Sequence, residues 1–192
     1  MKKLISVLVV VCILFQSQKV SAQANRDELS VEYSTLTVPQ GVYIFGGVLG
    51  AAFSLGHFTF DNTIMTGALT VDYMHYFINW FGLGVCAFGE YMTADAYSVD
   101  GEGNRTPNGK FNMGFASVNP QVKFKYLDNP TWNLYSKLNA GVGVSLTDSP
   151  SIIPSFQVSL IGVGFGSPKL KGFVELGFGM QGIVGFGLTF GL

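Results

Sequence analysis

Few side chains in this sequence are able to do chemistry, and their spacing limits what they can do. The two histidines, His57 and His75, are not framed by any catalytic motif. His57 with Asp61 and a loop serine can be drawn as base, orienting acid and nucleophile. An enzyme needs such groups within hydrogen-bond reach on one rim, however, and chance proximity explains the spacing better. Cys12 lies in the N-terminal apolar stretch, which leaves Cys86 with neither a disulfide partner nor companions for a thiolate metal cluster. No catalytic, cofactor-binding or metal-binding residue is expected, and no cofactor. The chemistry left is ionic. It resides in Glu32, Asp72, Glu90 and Glu175 and in Lys123, Lys125 and Lys137, each set in a largely uncharged run.

The chain that positions these charges begins as an export signal. Lys2 and Lys3 precede an apolar stretch from Leu4 to Phe15, and Val20-Ser21-Ala22 supplies small residues before Gln23. The stretch is too short for a membrane-spanning helix, which takes about 20 apolar residues. Residues 1–22 therefore read as a cleavable signal peptide and 23–192 as one domain. Cleavage removes Lys2, Lys3 and Lys19 from 11 basic side chains, leaving 8 against 12 acidic ones, a net charge of −4. That balance excludes nucleic acid as a natural partner. Low charge with 17 Phe, 8 Tyr and 25 Gly suits a membrane protein rather than a soluble one.

The hydrophobic period is two. From Trp132 to Thr147 one parity carries Trp132, Leu134, Leu138, Val142, Val144 and Leu146, and the other carries Asn133, Tyr135, Lys137, Asn139 and a pair of glycines. Such a strand is long enough to cross a bilayer, which takes about 9 to 11 residues at a steep tilt. Val174, Leu176, Phe178 and Met180 alternate with Phe173, Glu175, Gly177 and Gln181 in the next-to-last strand. In the last, Val184, Phe186, Leu188, Phe190 and Leu192 form the apolar face. Six glycines between Leu176 and Leu192 speak against a transmembrane helix there, since each costs about 1 kcal/mol of helix propensity. Glycine and serine on the inner parity leave space in the upper lumen. Further strands are read at Thr63 to Phe77, Trp80 to Asp95, Lys110 to Tyr126 and Pro154 to Gly166. A bulge is expected near Ser117 to Pro120, where the apolar parity changes, and a slip near Ile161.

Two segments compete for the first strand. Leu29 to Val38 alternates, whereas Val42 to Leu55 is apolar on both parities and fits helical spacing, with Pro39 suited to a first turn. The first is assigned as the strand and the second as a helical part of a long external loop. The expected fold is all-β, an eight-stranded antiparallel up-and-down transmembrane barrel. Short turns at Ile78-Asn79, Asp128 to Pro130 and Ser167 to Leu170 define the periplasmic rim, and the loops Tyr97 to Gly109 and Asp148 to Ile153 lie opposite. Phe77, Trp80, Phe81, Phe124, Tyr126 and Trp132 flank the short turns and form an aromatic girdle. The register turns the seven charged residues inward, where they plug the lumen as a salt-bridge network; a selective pore is the sharper alternative. Asn104-Arg105-Thr106 matches a glycosylation sequon and reads as a solvated loop.

The pattern resembles a family of small outer-membrane β-barrels of Bacteroides-type bacteria, related in architecture to OmpA- and OmpX-like eight-strand barrels. The resemblance is carried by Val122-Lys123-Phe124-Lys125-Tyr126, by Leu134 to Leu138 with Gly141-Val142-Gly143, and by Gly172 to Gly179 with Gln181 to Val184. Phe190-Gly191-Leu192 departs from the usual terminal aromatic residue. The resemblance implies an outer-membrane location, lipid as surroundings and the barrel-assembly machinery as a partner in biogenesis. It supplies no activity. A non-enzymatic envelope or surface-contact role is the leading expectation. A conduit or binding barrel for apolar molecules, with Val42 to Leu55 as a lid, is the alternative, and an enzyme acting on outer-membrane lipid comes third.

Overall fold

The computed structural model describes residues 27–53, 58–100, 102–147 and 149–192, and the side chains of all of these except 47–59. Residues 1–22, read from the sequence as a signal peptide, and His57 lie outside the described residues. The elements are β1 (Asp27–Thr35), α1 (Val38–Phe53), β2 (Phe58–Ile78), β3 (Phe81–Val99), β4 (Arg105–Asp128), β5 (Trp132–Leu146), β6 (Ser151–Ser167), β7 (Leu170–Gly179) and β8 (Val184–Gly191). Each strand pairs antiparallel with the next, and β1 closes on β8 from Glu28↔Gly191 to Thr35↔Val184. The result is the eight-stranded up-and-down barrel expected from the alternation, with one helix in the first long connection.

Closure removes both sheet edges, so every strand is hydrogen-bonded on two sides. The wall is uneven. β1, β7 and β8 run 9, 10 and 8 residues, close to the length of a single bilayer crossing, whereas β2, β3 and β4 run 21, 19 and 24 and stand well above them. All the additional height is on the rim of the long connections.

The alternation sorts the side chains cleanly. Leu83, Val85, Leu138, Val174, Phe186 and Leu188 point outward and are exposed, while the intervening residues are buried or half-buried. The slip near Ile161 is present: Ser159 pairs with Gly177 and Ile161 with Leu176, which turns both Leu160 and Ile161 outward. The bulge expected at Ser117 to Pro120 is absent. β4 pairs with β5 in step from Gly114↔Leu146 to Lys125↔Tyr135, and slips only at Lys125/Leu127. Phe115 keeps the inward parity of Ser117 and Asn119 because the upper lumen is itself apolar, so the change in apolar parity marks a change of interior chemistry and not of register. Met180, read as outward, is buried inside for the same reason: β7 ends at Gly179 and the chain turns into the lumen. The helix begins four residues before the expected Val42, at Val38, and Pro39 falls in its first turn.

Inward glycines fit the aromatic rings that face them. A methyl group at Gly162 would overlap the ring of Tyr135, and one at Gly143 the ring of Phe115. The narrow lumen holds these rings where the neighbouring strand carries no side chain beside them.

Candidate functional site in the barrel lumen

All seven charged residues named from the sequence are buried in the interior. Strand parity places them there: on β4 the alternate positions Ser117, Asn119, Gln121, Lys123 and Lys125 all face inward, as do Glu28, Ser30, Glu32 and Ser34 on β1. At mid-height Lys137 of β5 reaches three carboxylates on three other strands. Its Nζ lies 2.9 Å from Glu175 Oε1, 3.1 Å from Glu32 Oε2 and 3.8 Å from Asp72 Oδ2. Gln121 Nε2 donates to the other Asp72 oxygen at 3.1 Å, and the Tyr135 hydroxyl donates to Glu175 at 2.8 Å.

Nearer the short turns a second cluster centres on Glu28. Its carboxylate accepts from Lys125 at 2.8 Å, Lys123 at 3.2 Å and the Tyr76 hydroxyl at 2.8 Å. Asp128 continues the chain of charges to Lys125 at 3.7 Å and Lys171 at 3.5 Å. The ammonium of Lys125 lies 3.7 Å above the Tyr76 ring and that of Lys123 4.0 Å above Tyr135, so aromatic faces cover what the carboxylates leave open. Glu28, Asp128 and Lys171 were missed from the sequence. Glu28 shares the parity of Glu32 and fell one residue before the assigned start of its strand; Asp128 and Lys171 were placed in or beside turns.

Above the ions comes a layer of amides. Asn119 Nδ2 donates to Asn139 Oδ1 at 2.9 Å and to Ser155 Oγ at 3.0 Å, Asn139 reaches Gln181, and Gln157 clasps the Gln181-Gly182 backbone. Above that Ala68, Phe88, Phe115 and Met180 form an apolar stopper, with Val38 of α1 and Ile153 against it. The space expected in the upper lumen is thus filled. Glu90 stands apart from the other six charges. Its partner is the Thr37 hydroxyl, which donates to Oε2 at 2.7 Å, and among the described residues it makes no ion pair.

Thr37 also starts α1. Its Oγ1 accepts from Gln40 N at 3.2 Å, while Gln40 Oε1 accepts from Leu36 N at 3.1 Å. The run Thr37-Val38-Pro39-Gln40 is thus a close variant of a capping box, a signal readable in the sequence and not used there. A Thr37→Ala substitution removes both the cap and the bond to Glu90. It should weaken the helix by about 1 kcal/mol and raise amide hydrogen exchange in residues 38–46 while leaving the strands protected.

His57, the base of the arrangement drawn with Asp61 and a loop serine, lies outside the described residues. His75 Nδ1 lies 2.8 Å from Asp27 Oδ1 on the rim of short turns, and the same oxygen accepts from the Tyr73 hydroxyl at 2.6 Å. Asp61 is ion-paired to Arg105 on the opposite side of the wall. No group of three or more His, Cys, Asp or Glu among the described residues is arranged to hold a metal ion. In the β3–β4 loop the Asn104 side chain and backbone donate to Asp100, which holds that carboxyl below its usual range and fixes the turn. At the short-turn rim Trp80 stacks on Phe124 at 6.3 Å and the Phe81 ring lies tilted against Phe124 at 5.4 Å, and Phe77, Tyr126 and Trp132 are exposed on the same outer band.

No protein-family model matches the chain and no curated protein matches it, so the Bacteroides-type family stays a resemblance. Among solved structures the chain is similar to a de novo designed transmembrane β-barrel, at 17% identity over 89% of this chain and 98% of that one, with a TM-score of 0.40. It is also similar to Ail, the attachment invasion locus protein of Yersinia pestis, at 13% identity over 87% of this chain and 95% of that one, with a TM-score of 0.38.

Proposed function

We propose that this protein is an integral outer-membrane barrel with a closed lumen and no enzymatic activity, serving envelope integrity or surface contact through its tall β2–β4 wall and external connections. The observation that carries the reading is the inverted polarity of the barrel. Nine charged residues and a layer of amides are buried inside, while the outer face is a continuous band of Leu, Val and Phe. Exposed to water, that band would be an aggregation surface far larger than soluble monomers tolerate. Facing hydrocarbon, it costs nothing, and the charges face inward, where they are partnered.

The ion clusters, the amide layer and the apolar stopper obstruct the lumen at three successive levels, which supports a structural plug over a conduit. Export by the signal peptide and insertion by the barrel-assembly machinery complete the reading. Expressed with its leader, the protein should fractionate with the outer membrane and run faster on an unboiled gel than after boiling. The refolded protein should leave a planar bilayer without discrete conductance steps. A soluble, heat-unmodifiable product would overturn the membrane reading, and stable single-channel steps would overturn the plug.

A further inference from the structure

We propose that α1 is a hinged strap across the outer mouth of the barrel, latched at its base by Thr37 on Glu90, and that the charge of Glu90 keeps this latch weak. Strand register sets the carboxylate among apolar neighbours. Glu90 faces inward on β3, directly between Ala68 of β2 and Phe115 of β4, two members of the stopper, and Val38, next to Thr37, packs against the same cluster. Glu90 is 7% exposed; its Oε2 accepts from the Thr37 hydroxyl, and its Oε1 has no hydrogen-bond partner. Among the described residues no basic side chain faces it. α1 brings Thr37, Val38 and Gln40, and the Nε2 of Gln40 is likewise buried without a partner. β4 brings Phe115 and Ser117, β6 brings Ile153, and the β7–β8 turn brings Met180. The first ionisable groups below it on the inward faces of β2 and β3 are Asp72 and Cys86, each two inward positions down from the stopper layer, and neither is a cation. A buried carboxylate left without a cation works against the structure that closes over it.

The hinge lies beside the latch. β1 stops at Thr35, and the chain turns into the helix through Leu36, whose φ of 59° is a left-handed conformation unfavourable for a side chain of this kind. The next hold is one turn up, where the Tyr43 ring lies 5.3 Å from Phe111 and 5.5 Å from Phe60 on the inner side of the tall wall. Val42 and Phe45, on the other side of the helix, are exposed. The closed strap therefore sets one hydroxyl–carboxylate bond and two small areas of packing against an uncompensated charge, an unmet amide donor and a left-handed hinge. Lifting α1 lets water reach Glu90 and Gln40, which removes the first two penalties. The amide layer and the ion clusters stay in place beneath, so the strap uncovers the upper lumen and leaves the barrel closed from end to end.

Ala68→Cys, combined with Cys86→Ser, puts a single thiol in the stopper under the strap, and its reaction with a water-soluble maleimide reads how often α1 lifts. Heat-modifiable mobility on an unboiled gel verifies that each variant is folded. Glu90→Gln keeps an acceptor for Thr37 and removes the charge. It should slow labelling at position 68 about fivefold or more. In the chain carrying Glu90→Gln alone, amide exchange in residues 38–46 should slow as well while the strands are unchanged, a second reading free of any effect of the new thiol. Labelling and exchange that stay the same or become faster in Glu90→Gln would overturn the role of the charge. A thiol at 68 that reacts only in urea concentrations that unfold the barrel, with Glu90 or with Gln in its place, would show that α1 is fixed and overturn the strap.

Discussion

Lys137→Met should be the most damaging single substitution in the chain. It removes the cation that is ion-paired, among the described residues, to Glu32, Asp72 and Glu175 and leaves three carboxylates in a space closed to water. Breaking a buried ion pair from one side costs about 3 to 5 kcal/mol, because the abandoned partner keeps its desolvation penalty. The loss is read as a lowered urea midpoint of the vesicle-inserted protein, followed through Trp80 and Trp132. Combining Lys137→Met with Glu32→Gln and Glu175→Gln should recover a large part of it, since two of the three carboxylate charges go with the lysine and Asp72 keeps its bond from Gln121. An unchanged midpoint in the single variant would show that these contacts do not hold the barrel together.

The second large effect is expected on the outside. Leu138 points outward from β5, six residues above Trp132 in the girdle, which at roughly 3.3 Å per residue along a tilted strand is near the bilayer midplane. Leu138→Arg should cost about 2 to 4 kcal/mol, and Trp132→Arg at the interface about 0 to 1. The difference in unfolding free energy between the two variants measures depth. In a barrel whose outer face met water, both would be near neutral, so equal and small effects would remove the membrane reading.

Much of this architecture is written in the period-two pattern, because every second side chain answers to one of two environments. Lys137 and Glu175 could be placed inside from the sequence since their neighbours Leu138 and Val174 could only be outside. The pattern failed where the inside is itself apolar. Phe115 and Met180 look like lipid-facing residues, and nothing local reveals that they seal the lumen beneath α1. Strand ends were blurred for a related reason: Glu28 and Lys171 lie where the alternation begins, with too few preceding residues to set a parity. The special position of Glu90 was illegible as well, because its partner Thr37 lies 53 residues away, in a helix cap that meets β3 only through the closed barrel.

The ionic contacts join strands that are remote in sequence. Glu32 on β1 and Glu175 on β7 meet Lys137 on β5, and Glu28 on β1 meets Lys123 and Lys125 on β4, at separations of 95 to 105 residues for the bonds from β1. A growing sheet that has not yet joined β1 to β8 holds these groups on a wet, open surface, where they are hydrated and gain little from one another. When the seam zips shut, water leaves and the charges compensate each other in the same event. Neutralisation thus acts as a kinetic ratchet on assembly: the seam is weak until the last strand docks, and reopening it afterwards requires rehydrating the whole cluster at once.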